Sequence, residues 1–279
     1  MATKRWALLA IPCVILLAAG ALLAQRGRSF PGRLPADRAG VANWDNDARF
    51  KHDVFTFVRV QYDSAYGGRG WGRGGSWRTD WPDSDLNFSF RLQQLTSLRV
   101  NPEPIWMRLT DKRLFDYPFI YIVEPGRLVF SDEEVVALRR YLLNGGFLMV
   151  DDFWGDMQWE NWHREIKRVF PDRDPIDLEL NHEIFHCVYD LKEKPQVSSI
   201  EAWRSQGITY EPWHGGDCQT IHYRALFDDK GRMMSIMCHN TDLGDGWERE
   251  GDDAEYFQEC SVKRAYPMGI NIIFYAMTH

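Results

Sequence analysis

The alternation of apolar and polar residues predicts several β-strands in the first half of the chain. Residues 54–62 (VFTFVRVQY) alternate between the two classes, as a half-buried strand does. Residues 119–123 (FIYIV) are apolar without a break, which is typical of a strand buried on both faces. Apolar segments at residues 105–109 and 147–150 predict two further strands, and the second of these runs directly into two aspartates.

Helical spacing of apolar residues separates these strands. Residues 85–98 carry leucines on one side, and residues 131–144 begin with a capping box formed by Ser131 and Glu134. An Asn-Gly-Gly sequence predicts a left-handed end for the second helix. Because this helix joins the last two strands through short connections, the three elements are expected to form a βαβ unit with parallel strands.

The second half of the chain is predicted to contain a hairpin and further helices. Residues 228–231 (DDKG) lie between two apolar segments, which is a strong hairpin signal. The other predicted elements are extended segments at 178–180 and 184–189 and helices at 159–169, 253–262 and 267–277. Strands that alternate with helices indicate an α/β fold.

An apolar segment with basic flanks lies at the N-terminus. Lys4 and Arg5 precede an uncharged run at residues 6–24, and Arg26 and Arg28 follow it. This arrangement is typical of an export signal, and the run is close to the roughly 20 residues that cross a bilayer as a helix. We expect membrane contact through residues 6–24, either as a signal cleaved after a small-x-small sequence or as a retained anchor.

These patterns divide the chain into three segments. Residues 1–25 are predicted to form an apolar helix that is a signal peptide or membrane anchor. Residues 26–52 are rich in Arg, Gly, Pro and Asp and are expected to be a linker. Residues 53–279 are expected to form one domain outside the cytoplasm.

Charge and cysteine content narrow the possible partners. The net charge of -7 argues against a general nucleic-acid binder, which would carry a basic face. Besides Cys13 in the apolar run, the chain has four widely spaced cysteines, which are Cys187, Cys218, Cys238 and Cys260. Export permits disulfides among these four, with three possible pairings, and free thiols are the alternative.

Four separated motifs resemble one bacterial family. They are residues 80–87 (DWPDSDLN), 131–152 (SDEEVVALRRYLLNGGFLMVDD), 231–234 (GRMM) and 269–279 (GINIIFYAMTH). In this order they resemble the domain of unknown function 4159 family, over residues 54–279. That family is similar to the class I glutamine amidotransferase-like fold, so the resemblance implies a doubly wound, mostly parallel sheet flanked by helices. A bacterial source also implies a domain that faces the periplasm, anchored in the inner membrane or released from it.

True amidotransferases carry their catalytic cysteine in a Gly-x-Cys-x-Gly elbow. The residues that correspond to this elbow are 151–155 (DDFWG), and they include no cysteine. Glutaminase activity is therefore not expected, because a carboxylate cannot replace a thiolate without different activation. The Gly-x-His that other relatives carry late in the fold corresponds to residues 237–239 (MCH).

Asp151 and Asp152 are the first candidates for chemistry. Ligands bind at the carboxyl ends of strands in open parallel sheets, and two acids there can bind a cation or act as acid and base. The alternative is that one acid caps the next helix and the other pairs with an arginine. His239 is expected either to enter the same crevice or to be a structural histidine, and Trp154 is a candidate ligand contact.

Residues 182–186 (HEIFH) match the His-Glu-x-x-His pattern of zinc proteases. On a helix, His182 and His186 would bind Zn²⁺ and Glu183 would be the base. The flanking residues favour extended structure instead. We therefore expect the two histidines to line the crevice without zinc or to pack as structural residues.

A loop at residues 64–80 is rich in Gly, Arg and Trp. Trp71, with neighbouring arginines, is a candidate platform for a sugar ring or a partner protein, although tryptophans of this loop can instead cover the sheet edge. The glycines are not followed by Lys-Ser or Lys-Thr, so this loop is not a P-loop.

Two functional hypotheses follow from these residues. The first is a binding or assembly module of the cell envelope, with a glycan or an envelope protein complex as its partner. The second is a hydrolase that uses Asp151, Asp152 and nearby histidines. No cofactor is required by the first hypothesis, and the second is compatible with catalysis either with or without a divalent metal.

Overall fold

A central sheet of seven strands organises residues Arg38–His279. The computed structural model describes residues 34, 37–50, 53–65 and 76–279. Within these ranges the strands are Val58–Val60 (β1), Asp63–Ser64 (β2), Ile105–Met107 (β3), Phe119–Val123 (β4), Leu128–Val129 (β5), Phe147–Phe153 (β6), Ile176–Asp177 (β7), His222–Phe227 (β8) and Met233–His239 (β9). The order in the sheet is β3-β1-β4-β6-β9-β8-β7, and β2 pairs with β5 separately.

Most strands of this sheet are parallel. β3, β1, β4, β6 and β9 run in the same direction, whereas β8 is antiparallel to β9 and to β7. The carboxyl ends of the parallel strands therefore meet at one edge. This carboxyl edge is the place where open α/β sheets bind their ligands.

Helices cover both faces of the sheet. The α-helices are Asp83–Leu95 (α1), Asp132–Leu143 (α2), Gly155–Val169 (α3), Ile200–Gln206 (α4), Leu243–Glu248 (α5), Ala254–Tyr256 (α6) and Tyr266–Thr278 (α7). A π-helix, Phe257–Ala265, joins α6 to α7. Short 3₁₀ helices are Arg38–Gly40, Ala48–Phe50, Ser76–Arg78, Lys112–Asp116, Pro125–Arg127, Glu183–Phe185 and Pro212–His214. In the described part of the chain, no helix combines the length and apolar character needed to span a membrane.

Two hydrophobic clusters fill the two sides of the sheet. Tyr121 and Met149 pack in the first cluster, whereas their sequence neighbours Ile122 and Val150 pack in the second. Side chains alternate between the faces of a strand, so strands buried on both faces need continuous apolar runs. This requirement explains the sequences of β4 and β6.

The predicted α/β class, with a mostly parallel sheet flanked by helices, is confirmed. The capping box of Ser131 and Glu134 is formed, and the predicted hairpin is β8 with β9. The extended segments predicted at 178–180 and 184–189 are not strands, because β7 ends at Asp177 and the 3₁₀ helix Glu183–Phe185 overlaps the second segment. The predicted apolar helix at residues 1–25 lies outside the described residues.

Candidate functional site at the carboxyl edge

Four non-glycine residues with positive φ angles are found at the carboxyl edge or in the segment before α1. They are Asp80 (62°), Glu124 (46°), Asp152 (55°) and Asn240 (63°). Such angles are uncommon for residues with a Cβ atom, and strained residues concentrate at functional sites. Asp152 lies where the pairing of β6 with β9 shifts, between Val150 and Phe153. The backbone is therefore most irregular where a ligand would bind.

Asp151, near the end of β6, is completely buried. Its Oδ2 accepts hydrogen bonds from the Tyr121 hydroxyl at 3.2 Å and from the Gly244 N–H at 3.0 Å. Its Oδ1 has no hydrogen-bond partner in the described residues. Burial raises the pKa of Asp151 to about 7, although these hydrogen bonds oppose the shift. Asp151 thus carries an uncompensated oxygen at neutral pH.

Three further aspartates gather beside α5. Asp80, Asp242 and Asp245 each offer a carboxylate oxygen, and these oxygens lie within 4.8 Å of one another. Asp242 caps α5 by accepting the Asp245 N–H at 2.7 Å, and Asp245 accepts the Ile200 N–H at 2.8 Å. Oδ2 of Asp80 is buried without a hydrogen-bond partner in the described residues. Burial raises the pKa of all three, and repulsion adds to this effect, from Asp245 on Asp80 and first from Asp152 on Asp242.

Gly244 lies at the centre of these acids. Its N–H binds Asp151, and a Cβ atom at this position would come within 2.8 Å of Asp80 Oδ2 and 3.3 Å of Asp242 Oδ1. Any side chain at position 244 would therefore enter the space between the carboxylates. We call Asp80, Asp151, Asp242 and Asp245 the carboxylate cluster.

Arg59 of β1 fixes the segment that carries Asp80. Its fully buried side chain pairs with Asp85 of α1, with Nη2 at 2.5 Å from Oδ2. The same guanidinium donates to the carbonyl of Thr79 at 2.5 Å. Burial alone would lower the pKa of Arg59, but Asp85 more than offsets this effect and raises it. Because Asp85 already neutralises the positive charge of Arg59, Arg59 compensates the negative charge of the carboxylate cluster only in part.

A family model supplies the relationship of the chain to known proteins. The model for a domain of unknown function (DUF4159) matches residues 56–277. The chain belongs to this family. Among curated proteins no match was found. The matched range includes all four residues of the carboxylate cluster, so the cluster is part of the DUF4159 domain rather than of an added segment.

Asp152 takes part in a second set of contacts next to the carboxylate cluster. Its Oδ1 accepts a hydrogen bond from Trp154 Nε1 at 3.0 Å, and the Trp154 ring stacks on His214 with an interplanar angle of 9°. His214 in turn lies 2.8 Å from Glu211. Burial, followed by repulsion from Glu124 and Glu211, raises the pKa of Asp152. Because Trp154 is only 1% exposed, its evident role is to orient Asp152.

His239 does not reach Asp151. Its Nδ1 lies 2.8 Å from Arg224 Nη1 and its Nε2 lies 3.1 Å from the Gly155 carbonyl. His239 follows Met237 by two residues on β9, so its side chain faces the second hydrophobic cluster, in which Met237 packs. Asp151 follows Met149 by two residues on β6, so its side chain faces the first cluster. Burial lowers the pKa of His239 to about 3. The sheet therefore lies between Asp151 and His239, and the neutral His239 ring is hydrogen-bonded to Arg224 and to the Gly155 carbonyl.

The His-Glu-x-x-His segment does not form the helix that a zinc protease requires. Glu183–Phe185 is one turn of 3₁₀ helix with His182 at its start and His186 at its end. His182 accepts the Ile184 N–H at 3.2 Å, and His186 contacts Asp190 and the Leu180 carbonyl at 2.7 Å each. Both ring nitrogens of His186 and Nδ1 of His182 therefore contact groups of the chain itself. Trp71, the other sequence candidate, lies outside the described residues.

The four cysteines of the described domain are free thiols. Burial raises the pKa of each of them, and that of Cys260 reaches about 12. A thiol with a raised pKa is a poor nucleophile at neutral pH. None of the four lies at residues 151–155, where β6 runs into α3.

Sequence reasoning missed three of the four residues of the carboxylate cluster. Asp242 and Asp245 follow β9 at a spacing of three, and Asp80 opens the first family motif. The sequence did contain a signal for this cluster, since acids follow two different strands of a sheet that was expected to be mostly parallel. The carboxyl ends of parallel strands meet at one edge of the sheet, so such acids are expected to lie close together. The position of Asp80 has no comparable signal, since it depends on Arg59 and a loop.

Proposed function

We propose that this DUF4159 domain binds a divalent cation in the carboxylate cluster and uses it to hold an anionic ligand at the carboxyl edge. The observation that carries the proposal is the mutual approach of Asp80, Asp242 and Asp245 to within 4.8 Å, beside the unpartnered oxygen of Asp151. Arg249 pairs with Asp245 at 3.4 Å, but among the described residues the other three acids of the cluster have no salt-bridge partner. Burying carboxylates with so little positive charge nearby is costly. A cation would reduce both the desolvation cost and the repulsion.

The donor atoms indicate the class of cation. Ligands made only of oxygen favour hard ions such as Ca²⁺, Mg²⁺ and Mn²⁺, whereas Zn²⁺ favours histidine and cysteine. Metal–oxygen distances of about 2.4 Å for Ca²⁺ and about 2.1 Å for Mg²⁺ separate opposite ligands by about 5 Å and about 4 Å. The spacing in the cluster therefore suits one ion of this class with little rearrangement.

A second candidate function is hydrolysis, and Asp151 is the residue that favours it. Its pKa of about 7 and its free oxygen suit a group that accepts a proton from water beside a bound cation. His239 has no part in this arrangement because the sheet lies between the two residues. Glutaminase activity is not proposed, although the elbow at residues 151–155 supports a likeness to the class I glutamine amidotransferase-like fold.

The proposed location is the cell envelope. The apolar run at residues 6–24 and its basic flanks support a domain held at the outer side of the inner membrane, or released into the periplasm after cleavage. A cation-held ligand there would be an anionic envelope polymer or a partner protein with an exposed acidic group.

Thermal unfolding of the purified full-length protein tests the cation site. After chelation, Ca²⁺, Mg²⁺ and Mn²⁺ are added separately. At a concentration of about 100 times Kd, a cation adds roughly 2.7 kcal/mol of stability, which corresponds to about 5–10 °C in Tm for a domain of this size. We expect at least one of the three ions to produce this shift.

Asp80→Asn is the decisive variant. An asparagine tolerates the positive φ of position 80 and removes one repelling charge, so Tm without cation should rise while the cation-induced shift is mostly lost. Asp116→Asn, at an exposed position in a 3₁₀ helix, is the matched control and should keep the shift. Equal shifts in both variants, or no shift in the natural protein with any of the three ions, would reject the proposal.

A further inference from the structure

Arg224 of β8 is a partly buried cation on the opposite face of the sheet. Its Cζ lies 3.9 Å from the centre of the Trp159 ring of α3, and its Nη1 donates to His239 Nδ1 at 2.8 Å. No carboxylate of the described residues lies within 4.0 Å of its guanidinium. Burial lowers the pKa of Arg224, which is the expected effect of desolvation on a positive charge.

The acid nearest to Arg224 is already engaged. Asp177 of β7 lies directly opposite Arg224 in the backbone register of β7 and β8. It is therefore the acid that the sheet places nearest to the Arg224 side chain. Its carboxylate instead contacts His222 Nδ1 at 2.5 Å and Lys194 Nζ at 3.2 Å. Asp177 therefore compensates Arg224 only at longer range.

Other arginines near this part of the fold are matched. Arg168 pairs with Glu165 at 2.6 Å, and Arg173 pairs with Asp229 at 2.7 Å. An unmatched charge that is partly removed from water is costly, so Arg224 differs from these two in a way that requires an explanation.

The neighbours of Arg224 fix its orientation. His239 is held between Phe153, at 4.9 Å between ring centres, and His222, at 5.7 Å, and its Nε2 faces the Gly155 carbonyl. Neutral His239 accepts from Nη1, while Trp159 covers one side of the guanidinium plane. Within the described residues the edge formed by Nε and Nη2 has no partner. The same edge of Arg59 binds Asp85 through two hydrogen bonds.

We propose that the Nε–Nη2 edge of Arg224 is a binding site for an oxyanion, which is a carboxylate or phosphate group of a ligand. A guanidinium edge matches two oxygens of such a group, and a cation already stacked on an aromatic ring loses little freedom on binding. We call Arg224, Trp159, His239 and His222 the Arg224 site. This site is independent of the proposed cation site, because the sheet separates the two.

The test is thermal unfolding of the full-length protein in chelator, with inorganic phosphate or acetate compared with chloride at equal ionic strength. We expect phosphate, acetate or both to raise Tm beyond chloride. Phosphate alone would identify a phosphate group as the ligand, and a response to both would identify any oxyanion of this shape. Since phosphate also stabilises proteins by exclusion from their surface, the variants decide.

Arg224→Gln removes the charge but keeps a donor for His239, and it should lose the oxyanion response. Arg168→Gln makes the same change of charge on α3 and should retain it. If Arg224→Gln fails to fold, Arg224→Lys keeps the charge, lacks the two-donor edge and should also lose most of the response. Asp177→Asn removes the nearest negative charge and should strengthen binding several-fold.

Two results would overturn the proposal. One is an equal phosphate and acetate response in the natural protein, Arg224→Gln and Arg224→Lys. The other is the absence of any response beyond chloride in both the natural protein and Asp177→Asn, which would mean that the Nε–Nη2 edge of Arg224 binds no oxyanion even when its nearest acid is neutral.

Discussion

The two faces of the sheet carry opposite kinds of unmatched charge. On the first face, the carboxylate cluster brings four acids together, and Oδ1 of Asp151 has no hydrogen-bond partner among the residues that the structure describes. On the second face, Arg224 has no carboxylate within salt-bridge distance in the described residues. Neither arrangement stabilises the folded domain by itself, because each one buries charge that neighbouring opposite charges do not fully compensate. The two sites are therefore the places where ligands of opposite charge would stabilise the domain most.

Arg59 is a buried arginine whose hydrogen-bond donors have acceptors within the fold. Arg59 is more deeply buried than Arg224, yet Asp85, Ser84 and two carbonyl groups accept its donors. With the described part of the chain, Arg224 makes one hydrogen bond and one ring contact. The contrast separates a structural arginine from one that is open to a ligand, and the predictions below test that distinction.

The largest effect is expected from Arg59→Leu. This change leaves Asp85 buried without its partner, and losing one member of a buried pair costs about 3–5 kcal/mol. It also frees the carbonyl of Thr79 next to Asp80, so the cation-induced shift should fall as well. Urea unfolding in chelator measures the first effect, and cation titration measures the second.

Arg113→Leu is the control, because its pair with Asp111 is exposed and its loss should change little. Arg59→Leu combined with Asp85→Leu should recover part of the lost stability, since no unpaired charge is left. A similar small loss in Arg59→Leu and Arg113→Leu would show that the buried pair is not what holds this part of the domain.

A pH effect of intermediate size is expected from Asp151. Its pKa is about 7 in the folded domain and near its ordinary value in the unfolded chain, so the folded state binds more protons between these values. The stability that protonated Asp151 provides is complete at low pH and is lost as pH rises toward 7. Without cation, the free energy of unfolding should therefore decrease from about pH 4 to 7, by at most about 4 kcal/mol from this group.

Asp151→Asn should flatten this part of the pH profile. Glu248, whose pKa is raised to about 8 by burial, and the other acids of the cluster have the same sign and are present in both proteins. The difference between the two curves therefore reports Asp151 together with the repulsion that it exerts on Asp152 and Asp242. Urea unfolding at several pH values in chelator provides both curves. Parallel curves would mean that Asp151 titrates normally, and its proposed role as a proton acceptor would then fail.

The sequence predicted the parallel sheet well because its signals are local. Residues 119–123 became β4 without any change of boundary, and the capping box begins α2 as expected. The hairpin at residues 228–231 was also predictable from turn chemistry. Each of these features depends on neighbours within a few residues along the chain.

The site was harder to predict because it depends on long-range contacts. Asp80 lies near Asp242, and Arg59 holds the residues just before Asp80 through the carbonyls of Trp77 and Thr79; no periodicity encodes these contacts. Asp151 and His239 end adjacent strands, yet the alternation of side chains places them on opposite faces. Sequence identified the correct edge of the sheet but not which side chains share a face there.

The smallest and most selective effect is expected from Trp159→Leu. The indole ring lies 3.9 Å from Cζ of Arg224, and a cation–π contact contributes about 0.5–1 kcal/mol at a partly exposed site. Its loss should weaken oxyanion binding by about two- to five-fold and leave the cation-induced shift unchanged. Trp106→Leu is the matched control, because Trp106 is also partly buried but packs at a tilted angle against Trp77 in the opposite half of the sheet. Comparing ligand-induced shifts rather than absolute Tm values removes the packing loss that both changes cause. If Trp159→Leu weakened the cation response as much as the oxyanion response, the two sites would be coupled through the sheet rather than independent.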